Sequence, residues 1–399
     1  DEKAGEYVNV YISVFPTLGE EGILYDLSSF DITAYWDKKN PVLDANIQFL
    51  PKNMKVDDYV MRTPNATIRV RGNRGASPKS YRVKILDGVY AYRGQAVFNL
   101  NKNLRDPSRI ANKLAHDLIK NLDNIAGFRT DFLNVFIKDA SASGPQNEFY
   151  SYGLYTHIEQ PNRAYLRAHG LDEKGSIYRA ENFNFQLAPQ LKDVNDPDYS
   201  EQEFETVLAI RKSNDHSKLL SMLKDLNDPA KDFNEVFYTY FNEENYLTWL
   251  AVNILLGNAD AASKGFLLYN PSNLPVWYLL PWDFDGIFLW MKDEAEIPGF
   301  LDKINDVTLH KKYLDQEGNL EKLRDKVNEL ALGPFSSKKV KSLLKSYKPV
   351  LLELINIYPD NVSLGIPVNI YMAFIDRIDE YIMKNYQDFT KWYEDKKTN

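Results

Sequence analysis

The sequence contains no cysteine, which excludes disulfides and thiolate metal sites and leaves the redox compartment open. That absence suits a protein exposed on a bacterial surface at least as well as a cytosolic one. No apolar run is long enough for a membrane. The longest, YLTWLAVNILLG at 246–257, falls short of the ~20 residues that a helical span requires. Histidines number five and share no i, i+4 spacing, so a zinc centre is not expected. Clustered positive charge is also lacking. Lys and Arg total 48 against 56 Asp and Glu, a net charge of −8, and phosphate backbones call for the opposite balance, so no nucleic-acid partner is expected. There is no low-complexity tract and no internal repeat. The chain opens Asp-Glu-Lys without an initiator Met, as expected of a mature or trimmed form whose signal peptide would be gone.

What is present is the composition of a folded protein: 399 residues, 44% hydrophobic and 26% charged, with 26 Tyr and 21 Phe. That length accommodates two packed lobes or one large domain with insertions. The first third alternates with the period of a strand. Val8, Val10, Ile12 and Val14 share one face, and Leu43, Ala45, Ile47 and Phe49 repeat the pattern. ATIRVRG and YRVKIL flank the turn-rich GNRGASPKS, which predicts a hairpin with a basic, glycine-bearing tip. Asp106 as N-cap and Pro107 at the first helical position predict a helix carrying Ile110, Leu114, Leu118, Ile119 and Leu122 on one stripe. Strands follow at 132–138, 152–159 and 176–180. From about residue 200 the pattern becomes helical, with Ser200 and Glu203 forming a capping-box signature. The Asp-, Asn- and Pro-rich stretch 187–200 is the candidate lobe linker. Residues 266–269 and 276–282 return to β, and 299–399 reads as amphipathic helix. The expected organisation is an N-terminal β segment over 1–60, an added module or the start of a small lobe. A β-rich lobe over 61–190 and a helical lobe with an acidic hairpin over 191–399 complete it. The fold class is α+β.

Three stretches carry candidate chemistry. YLLPWDFDG at 278–286 ends an apolar strand in Asp283 and Asp285, which point the same way on an extended chain. Two such carboxylates repel unless a cation lies between them, and Mg²⁺ takes carboxylate oxygens while keeping positions for phosphate. A solvated pair in a turn is the plain alternative. RVRGNRGASPKSYRVK brings Arg71, Arg74, Lys79, Arg82 and Lys84 around Gly72 and Gly75. Glycines let backbone N–H groups approach phosphate while the cations balance its charge; a plain basic hairpin tip is the alternative. In LLGNADAASK a helix over 243–256 ends at Gly257, and Asn258 and Asp260 follow in a loop where a carboxylate is exposed yet held. Asp260 and Asp283 bracket a hairpin whose return can bring them face to face. One carboxylate would then orient a hydroxyl while the other holds Mg²⁺, the division of labour that phosphoryl transfer needs. Glu159 is a candidate partner for a lysine or an ion pair without chemistry. A haloacid-dehalogenase-type phosphatase and a glycosyltransferase also use D-x-D. The first opens a doubly wound fold and the second follows several βα units, and neither pattern is seen here.

Taken together these stretches resemble the spore coat protein H (CotH) kinase family over roughly residues 65 to 290. The family's R-G…K-S-Y hairpin is similar to Arg71, Gly72, Lys79, Ser80 and Tyr81. Its L-N…D-P-S…N-K-L stretch is similar to Leu100, Asn101, Asp106, Pro107, Ser108, Asn112, Lys113 and Leu114. Its G-x-Y-x-x-x-E strand corresponds to Gly153, Tyr155 and Glu159. Its N-x-D and P-W-D-[FY]-D elements correspond to Asn258, Asp260, Pro281, Trp282, Asp283, Phe284 and Asp285. The resemblance implies an atypical protein-kinase fold with two lobes. It implies transfer of the γ-phosphate of ATP, with Mg²⁺ or Mn²⁺, to Ser or Thr of a protein substrate, in a coat or cell-surface setting. Asp260 is then the catalytic carboxylate, Asp283 a metal ligand and Asp285 a second one. Lys79 is the preferred phosphate-binding lysine with Lys84 as the alternative, and Arg71, Arg74 and Glu159 line the nucleotide side. The sequence departs from the family twice: Gly265 and Ala111 stand where members often carry Asn and Arg. A non-catalytic binding protein on the same scaffold, and another nucleotide-dependent transferase, are the competing readings.

Overall fold

The computed structural model describes residues 5–32, 41–57, 59–72, 77–89, 91–143, 147–291 and 299–398. The fold is α+β, with strands concentrated in the N-terminal part and helices in the C-terminal part. Two compact units are assembled from interleaved stretches of chain. The first takes residues 1–113, 129–160 and 343–375, and the second takes 114–128, 161–342 and 376–399. The Asp- and Pro-rich stretch 187–200 therefore lies inside the second unit.

The first unit is built on a closed seven-stranded barrel. Its strands are β1 (Tyr7–Val14), β4 (Leu43–Leu50), β5 (Ala66–Arg71), β6 (Ser80–Ile85), β7 (Val97–Asn101), β8 (Thr130–Asp139) and β9 (Tyr150–Glu159), in the order β1-β4-β5-β6-β7-β9-β8. Two short strands, β2 (Thr17–Leu18) and β3 (Leu24–Tyr25), form a separate ribbon. The expected hairpin is present, with Arg69 opposite Arg82 and Arg71 opposite Ser80; its tip at 73–76 lies outside the described residues. The barrel closes by a parallel pairing of β1 with β8, Val10 beside Val135. Alternation then decides the interior: Val10, Ile12, Val83, Leu100, Val135 and Tyr155 all point into one buried cluster. Burying a side chain of this size contributes about 1.5–3 kcal/mol.

One departure from expectation is local. The helix expected from Pro107 starts at Ala111 and runs to Ile119, because Arg109 takes a left-handed backbone (φ 62°). Asp106 still caps it from a distance. Its carboxylate accepts from the Ser108 N–H and hydroxyl at 2.8 and 2.6 Å and from the Ala111 N–H at 2.8 Å. Burial pushes that carboxyl's pKa up against those bonds.

A buried ion pair ties the end of the first unit to its barrel. Lys102 Nζ lies 2.9 and 3.0 Å from the two carboxylate oxygens of Asp360 and also donates to the Tyr152 and Leu154 carbonyls. Asp360 in turn accepts the Leu154 N–H at 2.7 Å. Burial brings the Lys102 ammonium down to about 8 despite that partner. Gly153 makes the pair possible. It is left-handed (φ 74°), and a Cβ there would fall 1.8 Å from Asp360 Oδ2.

The second unit centres on the helix Glu243–Leu256, buried at every position from Asn245 to Leu256. This is the longest apolar stretch of the sequence, used as a core helix. Among the described residues no helix is long and apolar enough to cross a membrane. Beside it lies an antiparallel sheet in the order β11-β10-β12-β13, from β10 (Ser176–Ala180), β11 (Leu208–Lys212), β12 (Phe266–Asn270) and β13 (Tyr278–Pro281). Strand β11 was expected to be helical. Ser200 does cap a helix by accepting the Glu203 N–H, but that helix ends at Val207, where Leu208, Ala209 and Ile210 pair with β10 and tertiary pairing overrides local preference.

Candidate functional site

The acidic hairpin is the β12–β13 pair, with Phe266 opposite Pro281. Beyond its last full rung, the Asp283 N–H donates to the Gly265 carbonyl at 2.9 Å, while the Gly265 N–H donates to the Ala180 carbonyl at 3.1 Å. Gly265 therefore links the strand ends of β10 and β13 and sets where Asp283 emerges. Its backbone is left-handed (φ 71°), and a Cβ there would stand 3.2 Å from Asp283 Cβ. The glycine fits a close approach as well as a conformation that side chains disfavour.

The segment carrying Asp283 is held by three buried side chains. Asn245, inside the core helix, accepts the Leu279 N–H at 2.8 Å and donates to the Leu279 carbonyl at 3.1 Å, so an amide replaces a neighbouring strand. His116 accepts the Phe128 N–H at Nδ1 (3.3 Å), which leaves the proton on Nε2 to donate to the Trp282 carbonyl at 3.2 Å. Its ring also meets Phe284 edge-on at 5.3 Å. Asn258 donates to the Asp283 carbonyl at 3.2 Å and to Asn253 Oδ1 at 3.1 Å. The Asn of the N-x-D element thus positions backbone.

The carboxylates themselves are half-buried. Asp283 Oδ1 accepts the Asp285 N–H at 3.4 Å, a local turn that keeps both acids at one strand end. Asp260 sits in the short 3₁₀ turn Ala259–Ala262 directly after the core helix. Its Oδ2 lies 3.3 Å from Lys264 Nζ and 3.9 Å from where a Cβ on Gly286 would be. Asp260 and the D-F-D-G turn therefore share one corner of the second unit, as the hairpin spacing predicts. Among the described residues no three His, Asp or Glu side chains stand together as a ready-made cation cage. Two half-buried carboxylates fit a hard divalent ion that keeps most of its shell as water and phosphate oxygen.

The remaining predicted residues belong to the first unit. Lys79 is buried, and its carbonyl accepts the Tyr155 hydroxyl at 2.7 Å. Arg71 bonds Asn101 Oδ1, and the Lys102 N–H donates to Ser80 Oγ at 2.9 Å. Three of the sequence motifs are thus joined to one another by hydrogen bonds. Lys84 is exposed on the outer barrel face. Glu159 is fully buried and pairs with Arg129, accepting its backbone N–H at 2.7 Å and its Nε at 2.6 Å, and also binds Gln95 Nε2. Arg74 lies outside the described residues. His116 and Asn245 were missed by sequence reading. Neither carries a spacing signal, because their partners lie 166 and 34 positions away.

A family model described as CotH kinase protein matches residues 68–363. The chain is also similar to the inner spore coat protein H of Bacillus subtilis (strain 168), 26% identical over 255 residues, a match covering 61% of this chain and 63% of that protein's length.

Proposed function

The chain belongs to the CotH kinase protein family, and from that premise we propose that it transfers the γ-phosphoryl group of ATP to a Ser or Thr hydroxyl of a protein substrate, using Mg²⁺ or Mn²⁺ and a two-lobed, atypical kinase-like arrangement. By the same reading it acts in a coat-type setting, as the name of its relative suggests. The observation that carries the proposal is the meeting of Asp260 with the Asp283–Asp285 turn at a strand end fixed by Gly265. Asp283 and Asp285 would hold the metal ion, which supplies positive charge to phosphate oxygens. Asp260 orients the acceptor hydroxyl and takes its proton. Asn258, His116 and Asn245 keep the backbone under these acids from shifting, which matters because phosphoryl transfer depends on position more than on covalent chemistry. In the barrel, Lys79 and Arg71 are proposed to contact phosphate, with Lys84 as the alternative and Glu159 as support.

The second reading is a coat-type binding scaffold without transfer activity. It is favoured by Gly265, which offers no side-chain oxygen to a metal. Calorimetric titration of ATP, with and without Mg²⁺ or Mn²⁺, into the protein and into Asp283→Ala separates the two. Metal-dependent binding that disappears in the variant is expected. Absence of nucleotide binding with either metal refutes the kinase reading and leaves the scaffold.

A further inference from the structure

Among the described residues, Lys264 is a cation held directly against Asp260. Its backbone N–H donates to the Asp260 carbonyl at 2.9 Å, and the Ser263 N–H reaches the same oxygen at 3.2 Å. The turn therefore curls the chain so that the ammonium comes back over the Asp260 carboxylate at 3.3 Å. Read plainly, this is a half-exposed i, i+4 ion pair of small energetic value. Two features set it apart. It is not seated on a regular helix: the 3₁₀ turn Ala259–Ala262 ends two residues before Lys264, and left-handed Gly265 follows. In addition, Asp260 Oδ2, the oxygen Lys264 meets, is also the one nearest Gly286 of the D-F-D-G turn.

The charge at this corner is lopsided. Asp260, Asp283 and Asp285 are three acids, and a nucleoside triphosphate adds more negative charge. Gly265 supplies no side-chain oxygen, so among the described residues Asp283 and Asp285 are the acidic side chains at this end of the hairpin. Two carboxylates with water and phosphate suffice for one ion. Lys79 and Arg71 are proposed for phosphate from the barrel, and a γ-group that carries developing charge at this corner is best served by a positive group within the corner itself.

We propose that Lys264 is that group: the γ-phosphate-contacting cation of a one-metal site, paired with Asp260 until the nucleotide arrives. This rests on the phosphoryl-transfer reading and extends it. When ATP binds, the ammonium turns from Asp260 Oδ2 to the γ-phosphate oxygens and frees that carboxylate. The acceptor hydroxyl oxygen then bonds to the γ-phosphorus as the bond from that phosphorus to the β–γ bridging oxygen breaks. The electron pair leaves on ADP, and the hydroxyl proton passes to Asp260. Lys264 thus links nucleotide arrival to the readiness of the base.

The test compares ATP with ADP, since only ATP has the group that Lys264 would contact. Affinities are measured by calorimetry with Mg²⁺ for the wild-type protein, Lys264→Ala, Lys264→Arg and Asp283→Ala. Bound Mn²⁺ per nucleotide is counted by electron paramagnetic resonance. Lys264→Ala should weaken ATP about tenfold while leaving ADP unchanged. Lys264→Arg should retain the preference, and the wild type should take up one Mn²⁺ per ATP. An unchanged ATP-to-ADP ratio in Lys264→Ala, or two Mn²⁺ per ATP in the wild type, overturns the role of Lys264 alone. In that case Asp283→Ala still loses both nucleotides. If the wild type binds neither nucleotide, the phosphoryl-transfer reading falls and this inference falls with it.

Discussion

Replacing Gly153 by alanine tests the buried pair of the barrel with a single methyl group. The new Cβ would arrive 1.8 Å from Asp360 Oδ2, 3.0 Å from its Cγ and 3.2 Å from Lys102 Nζ. No such contact is tolerated, so the Asp360 carboxylate must leave. An alanine in the left-handed conformation costs about 1–2 kcal/mol. Removing one partner of a buried ion pair costs about 3–5 kcal/mol, because the other charge stays buried. The Leu154 N–H also loses its acceptor. The expected destabilisation is thus about 4–7 kcal/mol, a large share of the ~5–15 kcal/mol that holds a typical domain together. Urea unfolding followed by far-ultraviolet circular dichroism measures it. The companion variant is Asp360→Ala, which should cost about 3–5 kcal/mol by itself. Once Asp360 has been truncated, adding Gly153→Ala should cost only the left-handed term, about 1–2 kcal/mol. A loss below about 2 kcal/mol for Gly153→Ala would refute the reasoning. So would full additivity of the two substitutions, since both are held to act on the same pair.

The other predictions concern the second unit. His310 is buried beside Tyr246, and burial pushes its pKa down to about 3. The unfolded chain takes up that proton near pH 6.5, so stability is complete above that pH and is lost as pH falls towards 3, by about 1.4 kcal/mol per unit. Between pH 6.5 and 4.5 the wild type should therefore lose about 2.3 kcal/mol more than His310→Gln in urea melts; parallel curves would exclude His310 as the source. At Gly265, Asn tolerates a left-handed backbone better than a β-branched residue does. Gly265→Asn should lower stability by about 1–2 kcal/mol and Gly265→Val by more. Equal thermal midpoints for the two would show that this backbone is not constrained.

Much of the barrel was legible because its strands alternate cleanly, and Val10, Ile12 and Val14 sit inside as their spacing requires. The partner of a strand is not written in a period of two, so the parallel closure of β1 on β8 could not be read. The acidic hairpin was legible for a different reason: Asp260 and Asp283 lie within one short excursion of chain. Motif residues acquired physical causes only in three dimensions. Gly153 clears space for a carboxylate 207 positions away, Asn258 holds a carbonyl, and Asp106 caps a helix that begins five residues later. The strand Leu208–Lys212 was hidden by the correct capping signal just before it. That signal starts a helix without fixing where it ends.

The Lys102–Asp360 pair also bears on how this protein is made. All seven barrel strands have been synthesised by residue 159, yet the acid that neutralises the buried lysine comes 258 positions after it. At ~5–20 residues per second, a ribosome needs on the order of 10–40 s after the last strand to supply it. During that interval a closed barrel would enclose an ammonium without its carboxylate, which favours a loose precursor over a finished one. Most of the second unit's chain is translated in the same interval. The N-terminal barrel is thus first in sequence but among the last parts able to consolidate, and a nascent chain arrested before residue 360 should be open to proteolysis within its first 160 residues.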